Sequence, residues 1–171
     1  MLSDYGSGML VHRCPAASLI VLGALRQLQT GMSSVLSPGP SFSGPGSDAL
    51  TKQSCQSLGK CTKDTPRLSD LDLQKHLQAL PAWQLNESQT SLARSFTAKN
   101  FVAAVKFFDQ VAEIAEQEGH HPDLHLIKYR EVQVVLATHA IGGLSMFDVI
   151  LAAKIDALPV EYSPKWLRQQ T

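Results

Sequence analysis

The run Glu118-Gly119-His120-His121-Pro122-Asp123-Leu124, followed by Tyr129 and then Thr138-His139, is where this 171-residue chain concentrates residue types capable of chemistry. Imidazoles, with an unperturbed pKa near ~6.5, both give and take protons at neutral pH. A histidine pair facing a third histidine across a hairpin is therefore a candidate acid/base site. His120 and His121 follow a predicted helix C-terminus, where the helix dipole favours a cation. Pro122 stiffens the chain just after them. Neighbouring side chains on an extended segment point in opposite directions, so the two rings are expected to do different jobs. Two plainer readings compete with this one. The pair is a polar connection and nothing more, or His120, His125 and His139 bind zinc, although neither their spacing nor an accompanying Cys or Glu matches a known ligand set. His125 reads as a half-exposed strand residue, and His12 and His76 as surface residues.

The elements that must position these groups are legible in the periodicity. Ser69 is a predicted N-cap for a helix in which Leu73, Leu77 and Leu80 recur, stopped by Pro81. Trp83–Leu85 and Leu92–Phe96 alternate apolar with polar around a turn at Asn86–Gln89, which reads as a hairpin. The strongest helix pattern runs from Asn100 to Glu118, with Phe101, Val105, Phe108, Ala112 and Ala115 as its apolar stripe and Gly119 as its stop. A second hairpin pairs Leu124–Tyr129 with Val132–Thr138, turning near Arg130-Glu131. On its second arm Val132, Val134, Leu136 and Thr138 share one face, and Gln133, Val135, Ala137 and His139 the other. A last helix, capped by Ser145 with Asp148 in a capping-box position, ends near Leu158 before Pro159. The order α-β-β-α-β-β-α predicts an α+β domain over 66–171: a four-stranded antiparallel sheet with three helices packed on one face.

Residues 1–65 are rich in Ser, Gly and Pro and poor in acids before Asp48. They are expected to be disordered, because so little apolar surface cannot offset the entropy of ordering. Scarce acids, scattered Arg and abundant Ser suggest an organellar transit peptide, with the mitochondrion placed ahead of the plastid. A secretory signal built on Ala16–Leu25 and a tail with no address are the alternatives, and an internal start at Met32 would leave the protein in the cytoplasm. Cys14, Cys55 and Cys61 are odd in number and lack Cys-x-x-Cys spacing, which favours reduced, idle thiols. A formal charge of zero gives no electrostatic footprint for nucleic acid. No apolar run reaches the ~18–20 residues of a membrane span.

Taken together, Glu118 to Leu124, the aromatic Tyr129, Thr138-His139, Gly143-Leu144-Ser145, Asp148 and Leu151 to Asp156 resemble the pterin-4a-carbinolamine dehydratase family in order and spacing. The resemblance covers roughly Leu68 to Leu158 and implies the same α+β fold. It also implies loss of water from a 4a-hydroxytetrahydropterin to give the quinonoid dihydropterin, with no redox cofactor or metal required. His120, His121 and His139 match the family's active site, and we assign His121 and His139 as the acid/base pair and His120 as an orienting or substrate-binding group. Pro122 would shape the turn, while Thr138, Ala140 and Ile141 border the pterin. Glu116 matches an acid that could hydrogen-bond a histidine. The family further implies a homodimer or homotetramer, which a sheet with two free edges favours. Three positions depart from common family patterns: Gly119 replaces an acid, one extra residue precedes Tyr129, and Ala137 stands where many members carry Trp. The alternative on the same fold is a non-catalytic binding protein, either an assembly factor or a dimerisation cofactor for a transcription factor. The intact histidine set argues for the enzyme.

Overall fold

The computed structural model describes residues 44–170. In chain order these form α1 (Ser47–Thr51), a 3-10 turn (Cys55–Leu58), α2 (Asp70–Leu77), β1 (Gln84–Leu85), β2 (Leu92–Thr97), α3 (Phe101–Glu118), β3 (Asp123–Ile127), β4 (Glu131–Leu136), a second 3-10 turn (His139–Ile141), α4 (Met146–Asp156) and α5 (Pro164–Leu167). The four strands make one antiparallel sheet in the order β1-β2-β4-β3. This is the α+β architecture expected from the sequence, and the pairing register explains its two faces. Leu92, Phe96, Val132, Val134 and Leu136 are buried in one core with Leu73, Leu80, Phe107, Val111, Val149, Leu151 and Ile155 from the helical layer. The alternate residues Ser95, Asp123, His125 and Ile127 are exposed on the opposite face.

Local signals account for the element ends. The Ser69 hydroxyl accepts from the Asp72 N–H at the start of α2, and the Asn100 side chain does the same for Ala103 at the start of α3. Gly119 closes α3 at φ 64°, ψ 27°, the left-handed conformation that costs a residue without Cβ least. The β3–β4 hairpin turns at Lys128 and Tyr129, both at positive φ, one to two residues earlier than expected. Tyr129 therefore stands at the opposite end of the hairpin from the histidines, with Arg130 5.5 Å from its ring centre.

Two expectations are corrected. The α3 stripe is rotated: Ala103, Ala104, Phe107, Val111, Ala115 and Glu118 are buried, whereas Phe101, Val105 and Ala112 are exposed and Phe108 is half-buried. Apolar doublets such as Phe107-Phe108 and Val111-Ala112 fit either stripe. Tertiary packing decides between them, with Phe107 set edge-on to Phe96 at 5.0 Å. Disorder through residue 65 is also corrected for residues 44–65. Leu50 enters the main core, Cys55 packs with Phe147 and Ile150, and the Gly44 N–H donates to the Ala79 carbonyl. The leader's transit-peptide reading and Cys14 lie outside the described residues. Among those residues no helix is long and apolar enough to cross a membrane.

A buried ion pair lies beneath the sheet. Arg94 Nη1 is 2.8 Å from Asp156 Oδ1, which also accepts from the Trp83 indole at 3.0 Å, while Arg94 Nη2 donates to the Tyr162 hydroxyl at 2.8 Å. Asp156 Oδ2 has no donor among the described residues. Burial pushes this carboxyl up to about 6, against the lowering effects of Arg94 and Trp83. The native state thus holds the Asp156 proton to higher pH than the unfolded chain, whose carboxyl titrates near ~3.9. Between those values folding takes up protons, so the Asp156 contribution to stability falls as pH rises from about 4 to about 6. Urea unfolding of wild type and Asp156→Asn should show wild type losing ground to the variant across that window, by on the order of 2–3 kcal/mol. A constant or widening wild-type advantage would contradict the assignment.

Candidate active site

The site is organised by a carboxylate. Asp148, in the first turn of α4, is fully buried, and its two oxygens collect donors from three chain segments. Oδ2 accepts from the Ser145 N–H at 2.8 Å, completing the capping box, and from Thr138 Oγ1 at 2.6 Å. Oδ1 lies 2.8 Å from His120 Nε2. A carboxylate has no proton to give, so His120 donates through Nε2. Ser145 Oγ is 2.7 Å from Thr138 Oγ1. With the Thr138 proton committed to Asp148, the serine hydroxyl has two acceptors within reach, Thr138 Oγ1 and, at 3.3 Å, Asp148 Oδ2. Burying a carboxylate is tolerated only when its lone pairs are satisfied in this way.

The register explains how His120 and Thr138 reach the same carboxylate. β3 pairs with β4 as Asp123↔Val135 and Leu124↔Val134, and running that alternation back past Pro122 sets His120 opposite Thr138. Both turn to the helical side, where they are 6 % and 0 % exposed. His121 and His139, one residue further along each segment, are exposed. His121 Nε2 is 3.0 Å from Glu116 Oε1, an exposed pair worth about 0–1 kcal/mol. His139 opens the 3-10 turn that follows β4 and does not continue the strand. Thr138 holds that turn by bonding its N–H to the Gly143 carbonyl at 2.9 Å. Ala140 is exposed and Ile141 half-buried within the same turn, and Pro122 is half-buried between the histidine pair and β3.

The eight predicted site residues therefore separate by environment. His120 and Thr138 join the buried node; Glu116, His121, His139 and Ala140 are exposed; Pro122 and Ile141 lie between. His125 sits mid-strand opposite Gln133 on the exposed face, away from His120 on the inner one. Ala137, half-buried, is the small residue between Leu136 and Thr138. A cavity of about 470 Å³ lies elsewhere, lined by Leu58, Arg67, Leu68, Met146, Phe147 and others but by none of the three histidines. Sequence reasoning gave Asp148 a capping role and missed that the same carboxylate grips His120 and Thr138. The available signal was parity, which turns Thr138 inward toward the capped end of α4.

A helix-backed antiparallel sheet, with a buried carboxylate holding the residues just before two exposed histidines, defines an α+β domain. The sequence model of the family described as pterin 4 alpha carbinolamine dehydratase matches residues 66–158. The chain belongs to that family. It is 48 % identical over 101 residues to an Arabidopsis thaliana protein named pterin-4-alpha-carbinolamine dehydratase 2, mitochondrial, covering 58 % of this chain and 54 % of that one. The chain thus spans about half the length of that plant relative. A Marinobacter nauticus protein named putative pterin-4-alpha-carbinolamine dehydratase is 42 % identical over 111 residues, covering 64 % of this chain and 96 % of the relative. Among solved structures, a Brucella melitensis protein described as a transcriptional coactivator/pterin dehydratase aligns with a TM-score of 0.50 at 36 % identity, covering 54 % of this chain and 97 % of that one.

Thr138→Val tests the node with little change of shape. It removes the donor to Asp148 Oδ2 and leaves the buried carboxylate short of a partner, which should cost about 1–3 kcal/mol in urea unfolding. A loss below about 0.5 kcal/mol would show that the node does not carry the stability its geometry implies.

Proposed function

We propose that the domain dehydrates a 4a-hydroxytetrahydropterin to the quinonoid dihydropterin by histidine acid/base catalysis. The observation that carries this reading is that one buried carboxylate, Asp148, holds His120 and Thr138, the residues just before the two exposed histidines His121 and His139. The family match and the names of the relatives supply the substrate class. In the reaction the C4a–O bond breaks, N5 loses its proton, and a C=N bond forms between N5 and C4a. One group must protonate the departing hydroxyl as water, and another must take the N5 proton.

Histidines suit both tasks at neutral pH. We assign them to His121 and His139, whose rings are open to a substrate. His120 has its Nε2 proton engaged by Asp148 and is assigned an orienting role. Glu116 would hold the His121 ring through the Nε2 contact. Thr138 fixes the start of the 139–141 turn, so Ala140 and Ile141 would border the pterin ring. Ala137 offers no aromatic surface there, so affinity must come from other contacts.

The assay is consumption of a 4a-hydroxytetrahydropterin generated in situ, using residues 44–171 so that the packed N-terminal segment is kept. Wild type should exceed the spontaneous rate. His121→Ala and His139→Ala should each lose about 10²–10⁴-fold, the range expected of a general acid or base. A wild type no faster than the spontaneous reaction would favour a binding or assembly role on the same fold. Equal, small losses at all three histidines would overturn the assignment of roles.

A further inference from the structure

α3 carries an acid on its buried face two residues before the histidine pair. Glu118 is 8 % exposed and continues the inward stripe of Val111 and Ala115. A carboxylate in that position needs donors. It receives them from the Cys55 N–H at 2.6 Å, Ser54 Oγ at 3.2 Å and Lys154 Nζ at 2.6 Å. Burial works to raise the Glu118 carboxyl, but Lys154, the Cys55 N–H and Ser54 outweigh it and hold the group below its usual range. The side-chain amide of Gln56 also donates to the Gln117 carbonyl at 2.5 Å. Residues 54–56, a strap outside the 66–158 family match, thus grip the last turn of α3.

The strap touches the site a second time. Cys55 is fully buried, and its Sγ points to the Phe147 carbonyl at 3.6 Å. Burial and the Glu118 carboxylate push its thiol up to about 12, so it acts as a neutral packing group. The Phe147 ring in turn lies 5.7 Å from the His120 ring. The histidine turn is consequently tied to α4 at two points. Asp148 holds His120, and Lys154 holds Glu118, with the strap closing over the second tie.

We propose that Glu118 is a positioning residue for the His120-His121 turn, and that the strap Ser54–Gln56 completes the site by holding Glu118 in place. The proposal rests on the dehydratase reading for its kinetic consequence. Only Gly119 separates Glu118 from His120, so a shift at the end of α3 passes directly to the pair. Misplacement of a catalytic group by about 1 Å costs up to ~10²-fold in rate.

The test compares full-length wild type, Glu118→Ala, Glu118→Gln, Ser54→Ala and Lys154→Met by steady-state kinetics and by imidazole nitrogen–proton NMR. Glu118→Ala should lower kcat about tenfold, with KM within about twofold, and should displace the His120 and His121 signals. Glu118→Gln keeps an oxygen for the Cys55 N–H and should recover most of that loss. If Glu118→Ala fails to fold, Ser54→Ala and Lys154→Met, each removing one donor, should show the same kcat loss and signal shifts to a smaller extent. Wild-type kcat and unshifted histidine signals alongside a lowered melting temperature would reduce Glu118 to a structural anchor and overturn the proposal. A wild type without dehydration would instead defeat the dehydratase reading, and displaced histidine signals in Glu118→Ala would still support positioning.

Discussion

The Asp148 carboxylate is the interaction on which the rest of the structure depends. It is fully buried, caps its own helix through the Ser145 N–H, and draws in His120 and Thr138 from the two ends of the β3–β4 hairpin. Without it, the His120 and Thr138 side chains and the Ser145 N–H would each lose a buried hydrogen-bond partner, at a cost of about 1–3 kcal/mol for a group left unsatisfied. With it, the helix start, the turn after α3 and the turn after β4 share one centre. The exposed residues that follow, His121 and His139, inherit their placement from buried neighbours held on both sides.

This arrangement divides labour between the two faces of the sheet. The inner face supplies packing: Phe96 and Phe107 meet edge-on, and Val132, Val134 and Leu136 face the helical layer. Besides the Glu118 cluster with Ser54, Cys55 and Lys154, two groups of buried polar side chains stand out in that layer. Arg94, Asp156, Trp83 and Tyr162 form one, and Asp148 with its partners forms the other. The proposed chemistry uses the rings beside the second cluster. Rigid support behind exposed acid/base groups is the physical requirement for catalysis by positioned proton transfer.

The sequence made much of this legible where the controlling forces are local. Ser69, Asn100 and Gly119 mark helix ends through backbone hydrogen bonds a few residues away, and strand alternation sorts Thr138 from His139. Long-range forces were harder to read. The doublets Phe107-Phe108 and Val111-Ala112 leave the α3 face undetermined until Phe96 is known to lie opposite. Residues 44–65 look too polar to order themselves, yet Leu50 and Cys55 find cavities built by distant segments. Glu118 carried a signal that periodicity could have used, an acid at the position where the buried stripe continues. Its partners Ser54, Cys55 and Lys154 are too distant in sequence to be inferred from spacing.

The most direct measurement is a crystal structure of residues 44–171 with a bound dihydropterin. The account predicts the bicyclic ring between His121 and His139, bordered by Ala140 and Ile141, with His120 still hydrogen-bonded to Asp148. A pterin seated in the cavity lined by Leu58, Arg67 and Phe147, or His120 released from Asp148 to contact the ring directly, would contradict it.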